Sequence, residues 1–367
     1  MRSDIIGPTG ATLLLFSAAC LPLTPLGAQA AGPAPASPQA APAPFVKGEA
    51  EAVVKELATQ LEDNFVFPEV AQKYGAALRA NLAAGKYADF ADARAFAEAV
   101  TNDLQAVYKD AHLRLLAPRP EAAGGPQMRR GPMSDSNAIS KSGWLADGVA
   151  YIRFEGFPGN ERTLAALKGF LATHKDAKTL IIDARTHRGG GPAEMNLLFP
   201  QLFAKETALV GMDTRIAVEQ RRGGPPPGAD EFMRKVAGPE GVVRRLHFAV
   251  PATDQGGLAQ AKVYLLISKA TGSAGEHLSL ALKRTNRATL IGETTRGMGH
   301  YGGIVPVGHG YSAFIPIGRS FDPDTNQGWE GTGVKPDVEV PADKALDEAL
   351  KRAGVSASAD VALANLR

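Results

Sequence analysis

The chain has 367 residues, 44% hydrophobic and 21% charged, and a net charge of +2. That length supports a large core and two domains, and so balanced a charge leaves no electrostatic footprint for nucleic acid. Outside the N-terminus no apolar run approaches the roughly 20 residues that a membrane span needs.

The N-terminus reads as a secretory signal covering residues 1–30. Arg2 gives a thin positive region, offset by Asp4; Thr12 to Leu23 is largely apolar; Ala28-Gln29-Ala30 has the small-x-small form of a cleavage site. Cys20, after Ser17-Ala18-Ala19, offers a lipoprotein variant, ranked second because the residue three before such a Cys is usually a larger aliphatic. Cleavage after Ala30 removes the only Cys. The mature chain then has neither disulfide nor thiol chemistry, and the expected location is a periplasm or the outside of a cell.

Residues 31–47, rich in Ala and Pro, read as an extended linker. Residues 48–108 have helical periodicity. Val53, Leu57 and Leu61 share one face; Pro68 starts a second helix; Asp89 is placed to cap a third carrying Phe96, Val100 and Leu104. Lys109 to Leu115 then leads into a strand, and Pro118 to Asn137 is a Gly/Pro-rich loop. Strand and helix patterns alternate from there: a strand over Gly148–Phe154, a helix over Glu161–His174, a buried strand over Thr179–Asp183. That strand runs into Gly189-Gly190-Gly191, and a helix begins at Pro192. Thr207 to Val218 reads as a strand, Arg221 to Gly228 as a loop, and a short helix is expected near Phe232.

Ala261 to Arg284 is the stretch the rest serves. An apolar strand, Val263 to Ile267, is followed by a turn with Gly272 and then by helical spacing from Ala274. Ser273 therefore sits where a strand gives way to a helix, beside the outward-pointing N–H groups of the first helical turn. Ser273-Ala274-Gly275-Glu276 is equally a capping box. Beyond it come a strand over Ala288–Ile291, a hairpin around Gly308-His309-Gly310, a turn-rich segment from Trp329 to Asp337, and a closing helix over Asp343–Arg352. Residues 353–367 form a tail. Such alternation behind a helical bundle is an α/β layer architecture. No dinucleotide or P-loop fingerprint and no metal-ligand spacing is present, so no cofactor or metal is expected.

Acyl transfer by a serine needs a base, an oxyanion hole and a group that orients the base. His112 follows Asp110 at the edge of the bundle, and its ordinary pKa suits a base; it also fits a hydrogen-bonded histidine at a domain boundary. Glycines at the end of a buried strand let backbone N–H groups approach a substrate, so Gly189 or Gly190 with Ala274 would form an oxyanion hole. A tight turn into the next helix is the plainer account of the three glycines. Glu330 is a candidate to orient the imidazole, in competition with Glu276 and Glu293, or is simple surface charge. His187, His277 and His300 lie near these motifs and read as solvated polar residues.

Together these segments resemble the S41 peptidase family, the C-terminal processing and tricorn-like serine proteases, in the branch similar to interphotoreceptor retinoid-binding protein. The carriers are Asp110-Ala111-His112-Leu113-Arg114-Leu115, Leu180 to Arg185 with its glycines, Thr271-Gly272-Ser273-Ala274-Gly275-Glu276, Gly292-Glu293-Thr294-Thr295 and Glu330-Gly331-Thr332-Gly333-Val334-Lys335-Pro336-Asp337. The resemblance implies α+β architecture: a helical N-terminal domain over 48–108 and a ClpP/crotonase-like core of ββα units over 109–352; the span between His112 and Tyr151 is too short for the PDZ domain that many processing proteases carry. It implies Ser273 as nucleophile, with Gly189 or Gly190 and Ala274 holding the oxyanion. Two positions depart from the family pattern. Met298 stands where the processing proteases carry a lysine base, which leaves His112 as the base by analogy with the tricorn-like branch. Ala111 stands where that branch has a serine, which leaves more of the orienting role to Glu330. The expected function is a secreted or periplasmic serine endopeptidase acting on a peptide or unfolded protein. The alternative is a catalytically weak module of the same fold that binds a peptide or apolar ligand.

Overall fold

Three helices open the structure: α1 (Lys47–Asn64), α2 (Pro68–Ala83) and α3 (Ala93–Val107). Each buries one apolar stripe, as the periodicity predicts. The third is capped by Asp92 rather than Asp89: the Asp92 carboxylate accepts the Ala95 N–H at 2.8 Å, so the helix starts later than expected. The computed structural model describes residues 42–118, 136–223 and 231–367. The expected signal, most of the linker, and most of the Pro118–Asn137 and Arg221–Gly228 loops lie outside the described residues.

Two six-stranded sheets follow. The first contains β1 (Arg114–Leu116), β5 (Thr207–Arg215), β6 (Met233–Val236), β7 (Val242–Ala249), β10 (His300–Gly308) and β11 (Tyr311–Phe321). Their order is β1-β11-β5-β7-β6, with β10 also paired to β11, and every pair is antiparallel. The face made by Leu115, Val307, Ala313 and Ile315 packs against Leu57, Tyr74 and Phe96 of the three helices. That shared core sets the segment around His112 against the β10–β11 hairpin.

The second sheet contains β2 (Ile139–Ala146), β3 (Val149–Phe154), β4 (Thr179–Asp183), β8 (Lys262–Ile267), β9 (Thr289–Gly292) and β12 (Val338–Glu339). Its order is β12-β9-β8-β4-β3-β2, parallel throughout except for the β2–β3 edge pair. Parallel strands covered on both faces read as continuous apolar runs, and Thr-Leu-Ile-Ile-Asp of β4 is buried at every position. One face packs on α4 (Glu161–Thr173), α5 (Ala193–Leu202) and α7 (Ala274–Arg284) through Leu167, Leu198, Leu278 and Leu282. The opposite face packs on α8 (Ala345–Arg352) and α9 (Ala359–Ala364).

Several elements differ from the sequence expectation. The strand from Thr207 ends at Arg215, and α6 (Ile216–Arg222) follows it. Beside Phe232, where a short helix is expected, Glu231 is 3-10 helical and strand β6 begins at Met233; β2 and β7 have no counterpart in the sequence expectation. The expected tail contains α9, and its last residue Arg367 exchanges backbone hydrogen bonds with Trp144 on the edge strand β2 (2.8 and 3.2 Å).

Candidate active site

Strands β4 and β8 are parallel neighbours, so the loops at their carboxyl ends meet in one crevice, the place where open α/β sheets build sites. The turn after β8 is fastened to the turn after β4. Thr271 Oγ1 donates to the Ala184 carbonyl (2.7 Å), Ser268 Oγ to the Arg185 carbonyl (2.6 Å), and Gly272 N–H to the His187 carbonyl (3.0 Å). Ser273 ends this turn at φ 55° and ψ −116°. A non-glycine residue held there costs on the order of 1–3 kcal/mol and persists only where its surroundings impose it.

Glu276 imposes much of it. Its fully buried carboxylate accepts the Ser273 N–H (2.8 Å), as a capping box requires. It also accepts Thr295 Oγ1 (2.7 Å), Gly297 N–H (2.6 Å) and Met298 N–H (2.8 Å). Burial pushes its pKa up, and these four donors oppose the shift. One carboxylate thus ties the serine turn to the loop leading into β10.

The glycine run after β4 lies beside this serine. A Cβ on Gly189 would stand 3.0 Å from the Ser273 Cβ. Phe157 N–H donates to the Gly189 carbonyl and Gly191 N–H to the Phe157 carbonyl, both at 2.8 Å. A Cβ on Gly190, at φ 133°, would meet that same Phe157 oxygen at 1.9 Å, so only glycine fits. The two candidate donors are not equivalent. The Gly189 N–H is engaged by His187 Nδ1 (3.1 Å), whereas neither Gly190 N–H nor Ala274 N–H is claimed by a hydrogen bond among the described residues.

Asp110, His112, His300 and Glu330 form a second, contiguous cluster. Asp110 accepts His112 N–H (2.9 Å) and Leu113 N–H (3.1 Å) on one oxygen and bonds His300 Nδ1 (2.7 Å) on the other. Glu330 accepts Ala111 N–H (2.7 Å) on one oxygen, and Gly299 N–H (2.6 Å) and His300 N–H (2.9 Å) on the other. The His112 ring stacks on Phe314 at 5.0 Å, and its Nδ1 is buried without a partner among the described residues. One ring nitrogen of His112 lies within 4.8 Å of a carboxylate oxygen of both Asp110 and Glu330. Burial lowers the His112 pKa to about 4, although Asp110 acts the other way. Burial, then Asp110, pushes Glu330 up. These three side chains present a metal-like donor set, but every carboxylate oxygen already accepts at least one N–H.

A cavity joins these parts. Ser273, Gly190, Ala274, Met298 and His300 all line it. His112 is not among its lining residues, and no hydrogen bond joins Ser273 to either imidazole among the described residues. Glu293 stands outside, paired with Lys269 at 3.2 Å. The histidines expected to be solvated are all buried: His187 at 0%, His277 at 6% and His300 at 5% exposure. His187 braces the glycine turn, its pKa lowered by burial to about 3. His300 was legible only as a residue near a motif, because its tie to Asp110 spans 190 positions. A larger groove of about 640 Å³ between α1 and α2 shares no residue with this site, and its charged lining residues are Lys47, Glu51, Lys55 and Arg79.

Comparison with known proteins gives consistent findings. The sequence profile described as "Peptidase family S41" matches residues 148–340, and the one described as "N-terminal domain of Peptidase_S41 in eukaryotic IRBP" matches residues 40–141. Among solved structures, the photosystem II D1 C-terminal processing protease aligns with a TM-score of 0.50 at 16% identity, over 80% of this chain and 93% of that one. A lipoprotein from Streptococcus agalactiae gives 0.52 at 14%, over 84% and 97%. The tricorn protease gives 0.52 at 15%, over 87% of this chain and 36% of that one. At such identities these structures establish a shared fold.

Proposed function

This chain belongs to peptidase family S41, and on that premise we propose that it is an exported serine endopeptidase working through a Ser273 acyl-enzyme. Ser273 Oγ attacks a peptide carbonyl while neutral His112 takes its proton. The tetrahedral oxyanion is held by the N–H groups of Gly190 and Ala274, and Gly189, whose N–H is engaged by His187, braces the loop. His112 then protonates the leaving amine, and a water repeats the sequence in reverse to release the acid. Glu330 orients the His112 imidazolium, which places its charge beside one buried and one partly buried carboxylate.

The observation that carries this reading is the setting of Ser273: a left-handed turn at the head of α7, in one cavity with two unclaimed N–H groups. Base catalysis and the oxyanion donors would each supply roughly 100-fold or more. Residues 1–30 act as the export signal in this proposal. No described helix is long and apolar enough to cross a membrane. A fluorophosphonate probe will label the wild type and leave Ser273→Ala unlabelled. Equal labelling of both would refute the assignment.

A further inference from the structure

The cavity beside Ser273 has a volume of about 80 Å³. Past the glycine turn its walls include Met195, Met212, Met233, Trp329, His277 and Ser320. A dry cavity of about 150 Å³ accommodates benzene, so a volume of this size favours a small side chain. Methionines adapt to the shape of what they enclose and contribute no charge.

Among the polar groups that line it and that the mechanism does not use (His277, Ser320, Tyr301 and the Trp329 indole), His277 is the one held in a relay of buried side chains. It lies one helical turn beyond Ser273, on the same face of α7. Its Nε2 is 2.9 Å from His247 Nδ1, and His247 Nε2 is 2.9 Å from Asn196 Oδ1. His247 is fully buried, and burial holds both imidazoles neutral, lowering His247 to about 4 and His277 well below its ordinary value. The relay has a direction. The Asn196 carbonyl only accepts, so His247 Nε2 carries a proton and its Nδ1 does not. His277 Nε2 must then donate to it, which leaves His277 Nδ1 as a lone pair. No protein group hydrogen-bonds that nitrogen among the described residues.

We propose that this cavity receives the side chain of the residue whose carbonyl Ser273 attacks, and that His277 makes it select threonine over valine. The proposal rests on Ser273 as nucleophile. Threonine and valine are alike in shape and each carries three side-chain heavy atoms. Threonine places a hydroxyl against His277, whereas valine leaves a buried acceptor unpaired, the situation in which sites discriminate most strongly between isosteres. Larger side chains exceed the volume, and a carboxylate or ammonium would enter without a counter-charge on the Met195, Met212, Met233 and Trp329 walls.

The test uses four quenched-fluorescent peptides that differ only in the residue before the scissile bond: Thr, Val, Leu or Glu. Mass spectrometry of the products confirms the cleaved bond. For the wild type, kcat/KM is expected to be about tenfold higher for Thr than for Val, and lower still for Leu and Glu. In His277→Leu, with its fold checked by circular dichroism, the Thr/Val ratio falls to about one. A wild-type ratio of one or below, or a ratio that survives in His277→Leu, overturns the subsite and leaves the peptidase intact. If His277→Leu does not fold, the wild-type series decides alone. A wild type that neither reacts with the fluorophosphonate nor cleaves any peptide removes the peptidase reading and this subsite with it.

Discussion

Ser273 and His112 illustrate how much a single residue owes to its setting. The serine was legible as a residue at a strand-to-helix junction, because apolar spacing changes there from strand to helical. Its left-handed φ was not, since that follows from Glu276 and the two fastened turns. For the histidine, burial dominates. A base works only when neutral, and the folded His112 pKa, about 4, lies below the ordinary 6.5. Activity is therefore expected to persist as pH falls through 6.5, with the acid limb of kcat/KM near 4. An acid limb at 6.5 or above would contradict it. His112→Ala should lower kcat by roughly 100- to 10,000-fold while fluorescent-peptide binding is retained. Gly189 and Gly190 were indistinguishable in the sequence. What separates them is an imidazole across the turn that occupies one N–H and not the other.

At the level of elements, the decisive contact is the clamp from α7 to the loop before β10. Four donors converge on Glu276, and three of them are backbone N–H groups that no other residue type could satisfy in the same way. In Glu276→Gln the amide NH2 would face an N–H group, so a loss of about 1–3 kcal/mol in stability is expected, measured by urea unfolding, with turnover falling too. Unchanged stability would show that the clamp is dispensable. Elements with strong apolar periodicity, such as α1, or with a continuous apolar run, such as β4 and β8, are readable in the sequence. Strand β7 is not, because Arg244 and Arg245 interrupt its pattern. In the structure Arg244 bonds Asp213 of β5 at 2.7 and 2.8 Å, and Arg245 pairs with Glu219 of α6. Those partners lie far away in the chain, so the local pattern carries no sign of the strand. Strand β6 is likewise set by its pairing with β7 rather than by local preference.

Over the whole molecule, the buried imidazoles couple stability to pH. His112, His187, His247 and His277 all have folded pKa values lowered by burial. A depressed folded pKa means that the unfolded chain binds protons first. Their contribution is therefore complete above pH 6.5 and is lost as pH falls below it. Each imidazole that stays neutral costs about 2 kcal/mol between pH 6.5 and 5. Glu194, Glu276 and Glu330 shift upward through burial, so protonating them restores part of that loss as pH falls. Urea midpoints are expected to be level from pH 8 to 7 and clearly lower at pH 5. A midpoint that rises toward pH 5 would count against this balance.

The sequence by itself determined the alternation of elements, the place of Ser273 at the head of a helix, and the glycines beside it, because these depend on local periodicity and on backbone freedom. The tertiary structure alone decided that residues 110, 112, 300 and 330 form one cluster, that Gly190 rather than Gly189 keeps a free N–H, and that His277 faces the serine's cavity. The reason is physical. Hydrogen bonds and burial act between atoms brought together by the two sheets, and separation along the chain leaves no trace of which atoms those will be.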